Sequence, residues 1–247
     1  MKTIGLIGGV TWASTAEYYK IINQEIARAL GGANSAKLLL VSLNFEDVIA
    51  RSKQDEAGHR ALYCDAARHL ERSGADFIII CSNTGHRRAK DIQAAVRIPI
   101  LHIADSVGSA VAAAGVRRVG LLGTNPTMED TFIRDTLEQA WHLDVTVPDR
   151  ETRLQLDCLI MAEMTRGIFS ERARSMVVTT IDRMVHEQSI EGVIIGCTEL
   201  PLLLRNAQLA CPPFDTLRLH AIAAARHALL DESHSSIQAV IAESNLK

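Results

Sequence analysis

Thr3-Ile4-Gly5-Leu6-Ile7-Gly8 and, far downstream, Arg118-Val119-Gly120-Leu121-Leu122-Gly123 share one texture, an apolar run punctuated by glycine at equal spacing. A second pair behaves alike: Phe77-Ile78-Ile79-Ile80-Cys81-Ser82-Asn83-Thr84 is echoed by Gly192-Val193-Ile194-Ile195-Gly196-Cys197-Thr198-Glu199. Both pairs are separated by 115 residues, which takes Gly5 to Gly120 and Ser82 to Cys197. Unrelated strands would not keep a common register over two motifs, so the chain reads as a duplicated unit. Ser82 and Cys197 then stand at equivalent strand ends of two related lobes. That arrangement suits two side chains addressing one small ligand from opposite sides.

Outward from these motifs, Val/Ile/Leu-rich runs predict strands near 2–7, 37–43, 76–81, 98–103, 117–122, 143–147, 192–196 and 211–214. Amphipathic stretches predict helices over 14–30, 55–73, 86–96, 105–114, 127–141, 151–165, 171–188 and 216–230. Nearly continuous apolar strands alternating with helices imply strands covered on both faces, hence a parallel α/β fold. Ser14-Thr15-Ala16-Glu17 has capping-box spacing, and Gly31-Gly32 closes the same helix. Thr127 followed by Asp130 repeats a helix-start signal, and Pro201 interrupts the segment after Cys197. Residues 231–247 are polar and weakly patterned, reading as a frayed helix or a tail.

Composition narrows the function classes. Hydrophobic residues make up 47% and charged residues 22% of the 247, as in ordinary globular proteins, and a net charge of −3 gives nucleic acid or an anionic membrane no purchase. No apolar run reaches the roughly 18 to 20 residues of a membrane span. The chain enters a strand directly after Lys2, so no secretory signal is expected. Five cysteines (Cys64, Cys81, Cys158, Cys197, Cys211), widely spaced and without a CxxC pair, argue against a disulfide framework or a zinc site and point to a reducing cytoplasm.

In a doubly wound sheet, ligands bind beyond the carboxyl ends of the strands. Gly8-Gly9-Val10-Thr11, Ser82-Asn83-Thr84, Gly123-Thr124-Asn125-Pro126-Thr127 and Cys197-Thr198-Glu199 all sit there, each before a helix start whose free N–H groups favour anions. Four such ends would surround an interlobe cleft suited to a small carboxylate. Each residue also has a plainer reading. A thiol such as Cys197 is often only a small buried apolar group, yet just past Gly196 it leaves the sheet, where a helix N-terminus would lower its pKa. Ser82 at a strand-to-helix junction is most often an N-cap, and Asn83 and Thr84 are common turn residues. Cys81 points to the opposite face and reads as core. Gly5-Leu6-Ile7-Gly8-Gly9 lacks the dinucleotide spacing and no Walker sequence is present, so nucleotide binding is not expected. Arg51 and Arg166 read either as solvated helix residues or, for Arg166-Gly167, as a contact for a second carboxylate. The histidines show no metal-ligand spacing, and His86 reads as a helix start.

The motifs together resemble the aspartate/glutamate racemase family, amino-acid racemases that work without pyridoxal phosphate. The resemblance rests on Ile4-Gly5-Leu6-Ile7-Gly8-Gly9-Val10-Thr11-Trp12 with Ser14-Thr15, Cys81-Ser82-Asn83-Thr84-Gly85-His86, Leu121-Leu122-Gly123-Thr124 with Thr127-Met128, Gly196-Cys197-Thr198-Glu199-Leu200, and Phe214-Asp215-Thr216 with His220. It covers about residues 1–230. It implies two pseudosymmetric lobes, each a parallel sheet flanked by helices, with the site in the cleft between them, often as a homodimer and without metal or organic cofactor. The corresponding division is 1–103 plus 214–247 for one lobe and 104–213 for the other. The family's usual pattern has Cys-Asn-Thr in the first lobe and Gly-Cys-Thr-Glu in the second. Here Ser82 replaces the first cysteine, which is similar to a branch carrying a hydroxyl residue there and acting on L-aspartate and L-glutamate.

Inverting an α-carbon requires acid/base groups on its two faces and fixed donors for the developing charge. The resemblance implies Cys197 as thiolate base, with Ser82 opposite supporting reprotonation. Asn83, Thr84 and Thr198 are the candidates for holding the α-carboxylate of a dicarboxylic amino acid, with the Val10–Thr11 loop, Thr124 and Thr127 assisting and Arg51 or Arg166 meeting a side-chain carboxylate. A serine hydroxyl needs its own activating group. Two rivals stand beside this reading: an arylmalonate-decarboxylase-like enzyme using only Cys197, and an amino-acid-binding homologue weakened in catalysis.

Overall fold

The computed structural model describes residues 1–230; the tail expected over 231–247 lies outside the described residues. The chain forms two compact units, Met1–His102 together with His220 onward, and Ile103–Leu219. In the first unit β1 (Ile4–Gly8), β2 (Leu38–Ser42) and β3 (Phe77–Ile80) form a parallel sheet in the order β2-β1-β3. It is covered by helices among α1 (Trp12–Leu30), α2 (Phe45–Gln54), α3 (Glu56–Arg72) and α4 (Ala89–Ala95), with a 3-10 turn at Thr84–Arg88 leading into α4. The core gathers Ile7, Ile78 and Ile80 from the strands with Tyr63, Ala67 and Leu70 of α3 and Ile92 of α4.

The second unit opens with α5 (Ile103–Ala113). It then builds β4 (Arg118–Gly123), α6 (Asn125–Glu129), α7 (Thr131–Trp141), β5 (Asp144–Thr146), α8 (Arg150–Ala162), α9 (Glu171–Gln188), β6 (Gly192–Gly196), α10 (Leu200–Leu203) and β7 (Pro213–Asp215). Its parallel sheet has the order β5-β4-β6-β7. Alternation along β6 covers both faces: Val193 and Ile195 pack with Ile160, Val177 and Ile181, while Ile194 packs with Val107, Val111, Ile133 and Leu137. The boundary falls inside α11 (Thr216–Leu229). The second unit runs to Leu219: β7 pairs with β6, and the Thr216 hydroxyl donates to the Ile195 carbonyl at 3.0 Å.

The duplication is written in the strand registers. Ile4 pairs with Phe77 and Val119 with Gly192, and each partner of the first pair is carried to the second by the same 115-residue step. Several local expectations change. The strand expected over 98–103 shrinks to a single parallel bridge, Ile78 to Ile100. Pro99 has no N–H to offer, His220 takes the Leu101 carbonyl (2.8 Å), and on the outer edge the Gln93 side chain covers the Ile100 N–H (3.1 Å) and the Ile98 carbonyl (3.2 Å). The Ser14 capping box does not form: Thr11 caps α1, accepting from the Ser14 N–H at 3.5 Å. Residues 127–141 divide into α6 and α7 at Asp130, whose backbone is extended. The helix α2 has only Val48 buried, so its sequence carries little apolar periodicity to betray it. Among the described residues no helix is long and apolar enough to cross a membrane.

A cluster of histidines lies buried in the first unit. His220 Nε2–H donates to the Leu101 carbonyl at 2.8 Å, which leaves Nδ1 to accept from the Tyr18 hydroxyl at 2.9 Å. The His86 ring stands edge-on to both His102 (4.7 Å between centroids) and His220 (5.5 Å). Burial holds His220 down at about 4 and, helped by the neighbouring imidazoles, keeps His86 well below the usual range. Both rings are therefore neutral when folded. Their contribution to stability is complete above the ordinary imidazole value and is lost as pH falls through the folded one. Unfolding by urea between pH 7.5 and 4.5 should show the wild type losing, at His220 alone, up to about 3 kcal/mol by the low end. His220→Gln should show a shallower slope; an unchanged slope would remove His220 from this role.

Candidate active site

In the first unit the chain leaves β3 with the Cys81 N–H still bonded to the Ile7 carbonyl (2.9 Å) and turns inward at Ser82. Cys81 is fully buried, and burial drives its thiol pKa upward. Ser82 Oγ accepts the Gly85 N–H at 2.9 Å, and His86 Nδ1–H donates to the Ser82 carbonyl at 2.8 Å. The capping role of serine is thus realised, and His86 braces the loop from within the histidine cluster rather than merely starting a helix. Ser82 and Asn83 are buried and Thr84 is partly exposed. The neighbouring strand end is fixed by Thr15, whose hydroxyl accepts the Gly9 N–H (2.9 Å) and donates to the Thr11 carbonyl (3.1 Å), setting the Val10–Thr11 loop in place. Arg51 is exposed on α2, with Nη1 3.8 Å from Asp55 Oδ2.

In the second unit the ends of β4 and β6 press together. A Cβ on Gly123 would lie 2.8 Å from the Gly196 carbonyl oxygen, and one on Gly196 would lie 2.9 Å from that of Leu122. Thr127, with no exposed surface, packs its methyl against both glycines and holds Thr124 by a 3.1 Å contact between hydroxyls. Fully buried, it supports Thr124 from beneath rather than facing solvent. The Asn125 N–H is fixed by Asp157 Oδ1 at 2.7 Å. Arg166 ends a 3-10 turn, Met164–Arg166, and its side chain is exposed.

Cys197 follows β6 directly and is 7% exposed. Its thiol donates to Glu199 Oε2 at 3.0 Å, and the Thr198 hydroxyl donates to the same oxygen at 2.7 Å. The expected depression of its pKa does not occur. Burial raises it well above the ordinary thiol value, and the Glu199 charge and hydrogen bond add to the rise. The Glu199 and Leu200 N–H groups pull the other way and lose, since α10 is a single turn and a desolvated thiolate beside a carboxylate is doubly disfavoured. Cys197 rests as a thiol tied to an acceptor. Glu199, quoted in the Cys197-Thr198-Glu199 motif but not among the expected site residues, is the side chain that meets the sulfur. Among the described residues, no group of three or more His, Cys, Asp or Glu side chains is placed to hold a metal ion.

The sequence profile of the Asp/Glu/hydantoin racemase family matches residues 7–224. A putative Asp/Glu racemase of Yersinia pestis superposes with a TM-score of 0.87 at 40% identity, over 93% of this chain and all of that one. An aspartate racemase homologue from Pyrococcus horikoshii OT3 gives 0.80 at 35% identity, with 93% and 100% covered. The broad specificity amino-acid racemase RacX of Bacillus subtilis is 22% identical over 216 residues, 86% of this chain and 92% of its own.

Because Glu199 raises the Cys197 pKa by charge and hydrogen bond, Glu199→Gln should lower it. Alkylation of Cys197 by iodoacetamide, followed across pH by peptide mass, should show its inflection displaced to lower pH. An inflection that stays put or rises would deny Glu199 control of the thiol.

Proposed function

Since the chain belongs to the Asp/Glu/hydantoin racemase family, we infer that this amino-acid racemase inverts an acidic amino acid without a cofactor, Cys197 working one face of the α-carbon and Ser82 the other. The observation that carries the reading is the hydrogen bond from the Cys197 thiol to Glu199. A raised thiol pKa would idle a standing base, but a thiol already aligned on a carboxylate has somewhere to send its proton. On binding the L-enantiomer, the Cys197 proton passes to Glu199 and the thiolate takes the α-proton. A proton then arrives from the Ser82 side, and the D-enantiomer leaves. In the return direction Cys197 delivers its proton as an acid, the form in which it rests.

Asn83 and Thr84 from the first unit and Thr124 from the second supply side-chain donors for the α-carboxylate. The Thr198 hydroxyl proton is engaged by Glu199, so its share in anion binding falls to the backbone. Arg51 and Arg166, both exposed, are the cations proposed to meet a side-chain carboxylate, Arg51 after leaving Asp55. The two enantiomers have equal free energy, so kcat/KM is the same in both directions, and any preference is confined to kcat and KM separately.

The resting thiol also favours a second reading, in which Cys197 only protonates the carbanion left by decarboxylation of a disubstituted malonate. Deuterated water separates the two. L-aspartate or L-glutamate should lose its α-proton with the wild-type enzyme, and Cys197→Ala should slow that exchange by about 100-fold or more. Equal exchange by the variant would end the assignment of Cys197. No exchange by wild type, with carbon dioxide released from a malonate, would establish the second reading instead. Replacing Ser82 by cysteine should speed inversion.

A further inference from the structure

Beyond β3 the chain enters a 3-10 turn, Thr84–Arg88, in which three oxygens compete for two backbone donors. In a regular helical turn the Ser82 carbonyl would accept the Gly85 N–H, three residues on, or the His86 N–H, four residues on. Both are committed elsewhere. The Gly85 N–H goes to Ser82 Oγ at 2.9 Å, and the His86 N–H goes to the Asn83 carbonyl at 3.1 Å. The Ser82 carbonyl is met instead by the His86 ring, whose Nδ1–H donates to it at 2.8 Å. Ser82 and His86 are both buried, so a carbonyl deprived of that ring would draw a backbone donor back to itself. The first in reach is the Gly85 N–H, the group now on the hydroxyl. Gly85 has to be glycine for this contact, because a Cβ there would lie 2.8 Å from Ser82 Oγ and 2.7 Å from Ile80 Cγ2.

The ring that makes the difference is itself held in place. It stands edge-on to His102 and His220, and His220 is fixed at both nitrogens, by the Tyr18 hydroxyl and the Leu101 carbonyl. Resting on inversion of an acidic amino acid as the activity, we propose that His86 is the positioning residue for Ser82: by supplying the Ser82 carbonyl from its ring, it reserves the Gly85 N–H for the Ser82 hydroxyl. That N–H fixes the oxygen at the strand end and stabilises negative charge on it as the hydroxyl gives its proton to the carbanion. The backbone N–H of residue 86 holds Asn83 whatever the side chain. The ring therefore acts on the hydroxyl rather than on the Asn83 side of the turn.

His86→Leu removes the ring donor, and His86→Asn puts an amide N–H in the place of Nδ1–H. In deuterated water with saturating L-aspartate or L-glutamate, α-proton exchange and D-enantiomer formation are read from the same samples. In His86→Leu, exchange should stay within about threefold of wild type while inversion falls about tenfold or more. His86→Asn should recover most of that loss. In a Ser82→Ala background, adding His86→Leu should lower inversion no further, because the hydroxyl it serves is gone. Unchanged inversion in His86→Leu would overturn the proposal, as would an equal fall in exchange and inversion, an asparagine variant no better than leucine, or a further loss in the double variant. A wild type that exchanges without inverting overturns it too and leaves Cys197 in its role. A wild type that does neither removes the acidic amino-acid reading and the proposal together.

Discussion

Parallel pairing between the first and third strands of each repeat is the constraint from which the chemistry derives. Two strands joined by a helical crossover run the same way, so their carboxyl ends emerge along one edge of the sheet. The β1–β3 and β4–β6 pairs keep corresponding registers. The residues just after β3 therefore occupy, in their own unit, the position of those just after β6. Ser82 and Cys197 inherit equivalent stations from backbone hydrogen bonding, before any side-chain interaction is considered. In the second unit the glycines at 123 and 196 add a closer condition, since a Cβ on either would strike the backbone oxygen of the facing strand.

Equivalent stations do not make equivalent chemistry. Cys197 is coupled to a carboxylate two residues along its own turn, an interaction needing no help from distant parts of the chain. Ser82 has backbone in the corresponding place: its loop is capped by the Gly85 N–H and braced by His86. The side chains around its loop come from α3 and, for the histidines, from segments as remote as α11. One arm is a local device and the other a tertiary one.

That difference explains what is legible in the sequence. The apolar runs and their common offset reveal the parallel sheets, the duplication and both strand-end motifs, because strand pattern and glycine position are local signals. The run over 98–103 looks like a strand and makes only one bridge, because Pro99 has no N–H and the Leu101 carbonyl, which would continue the ladder, is taken by His220 from a remote helix. The Cys197 pKa moves opposite to the sequence expectation because the thiol is buried, Glu199 faces the sulfur, and α10 is only one turn long. Helix length and side-chain direction at a turn are not readable from residue type. Tyr63 carries no local mark at all; nineteen residues before Ser82, it comes beside the Gly85 turn only when α3 packs on the sheet.

The unequal arms are compatible with a reaction whose end states are equal in energy. A racemase needs kcat/KM to match in the two directions, not its two proton carriers to match each other. A thiol backed by a carboxylate can give and take a proton with modest changes in charge, since the proton moves between neighbouring acceptors in one turn. A hydroxyl that accepts a backbone N–H, as Ser82 does from Gly85, gives its proton more easily than it takes one, because the accepted hydrogen bond stabilises the oxygen as negative charge develops on it. On the proposed reading, the Ser82 side favours quenching the carbanion once formed, and the Cys197 side favours forming it. Such a division of labour leaves overall reversibility intact, and it makes proton exchange on the Cys197 face separable from inversion.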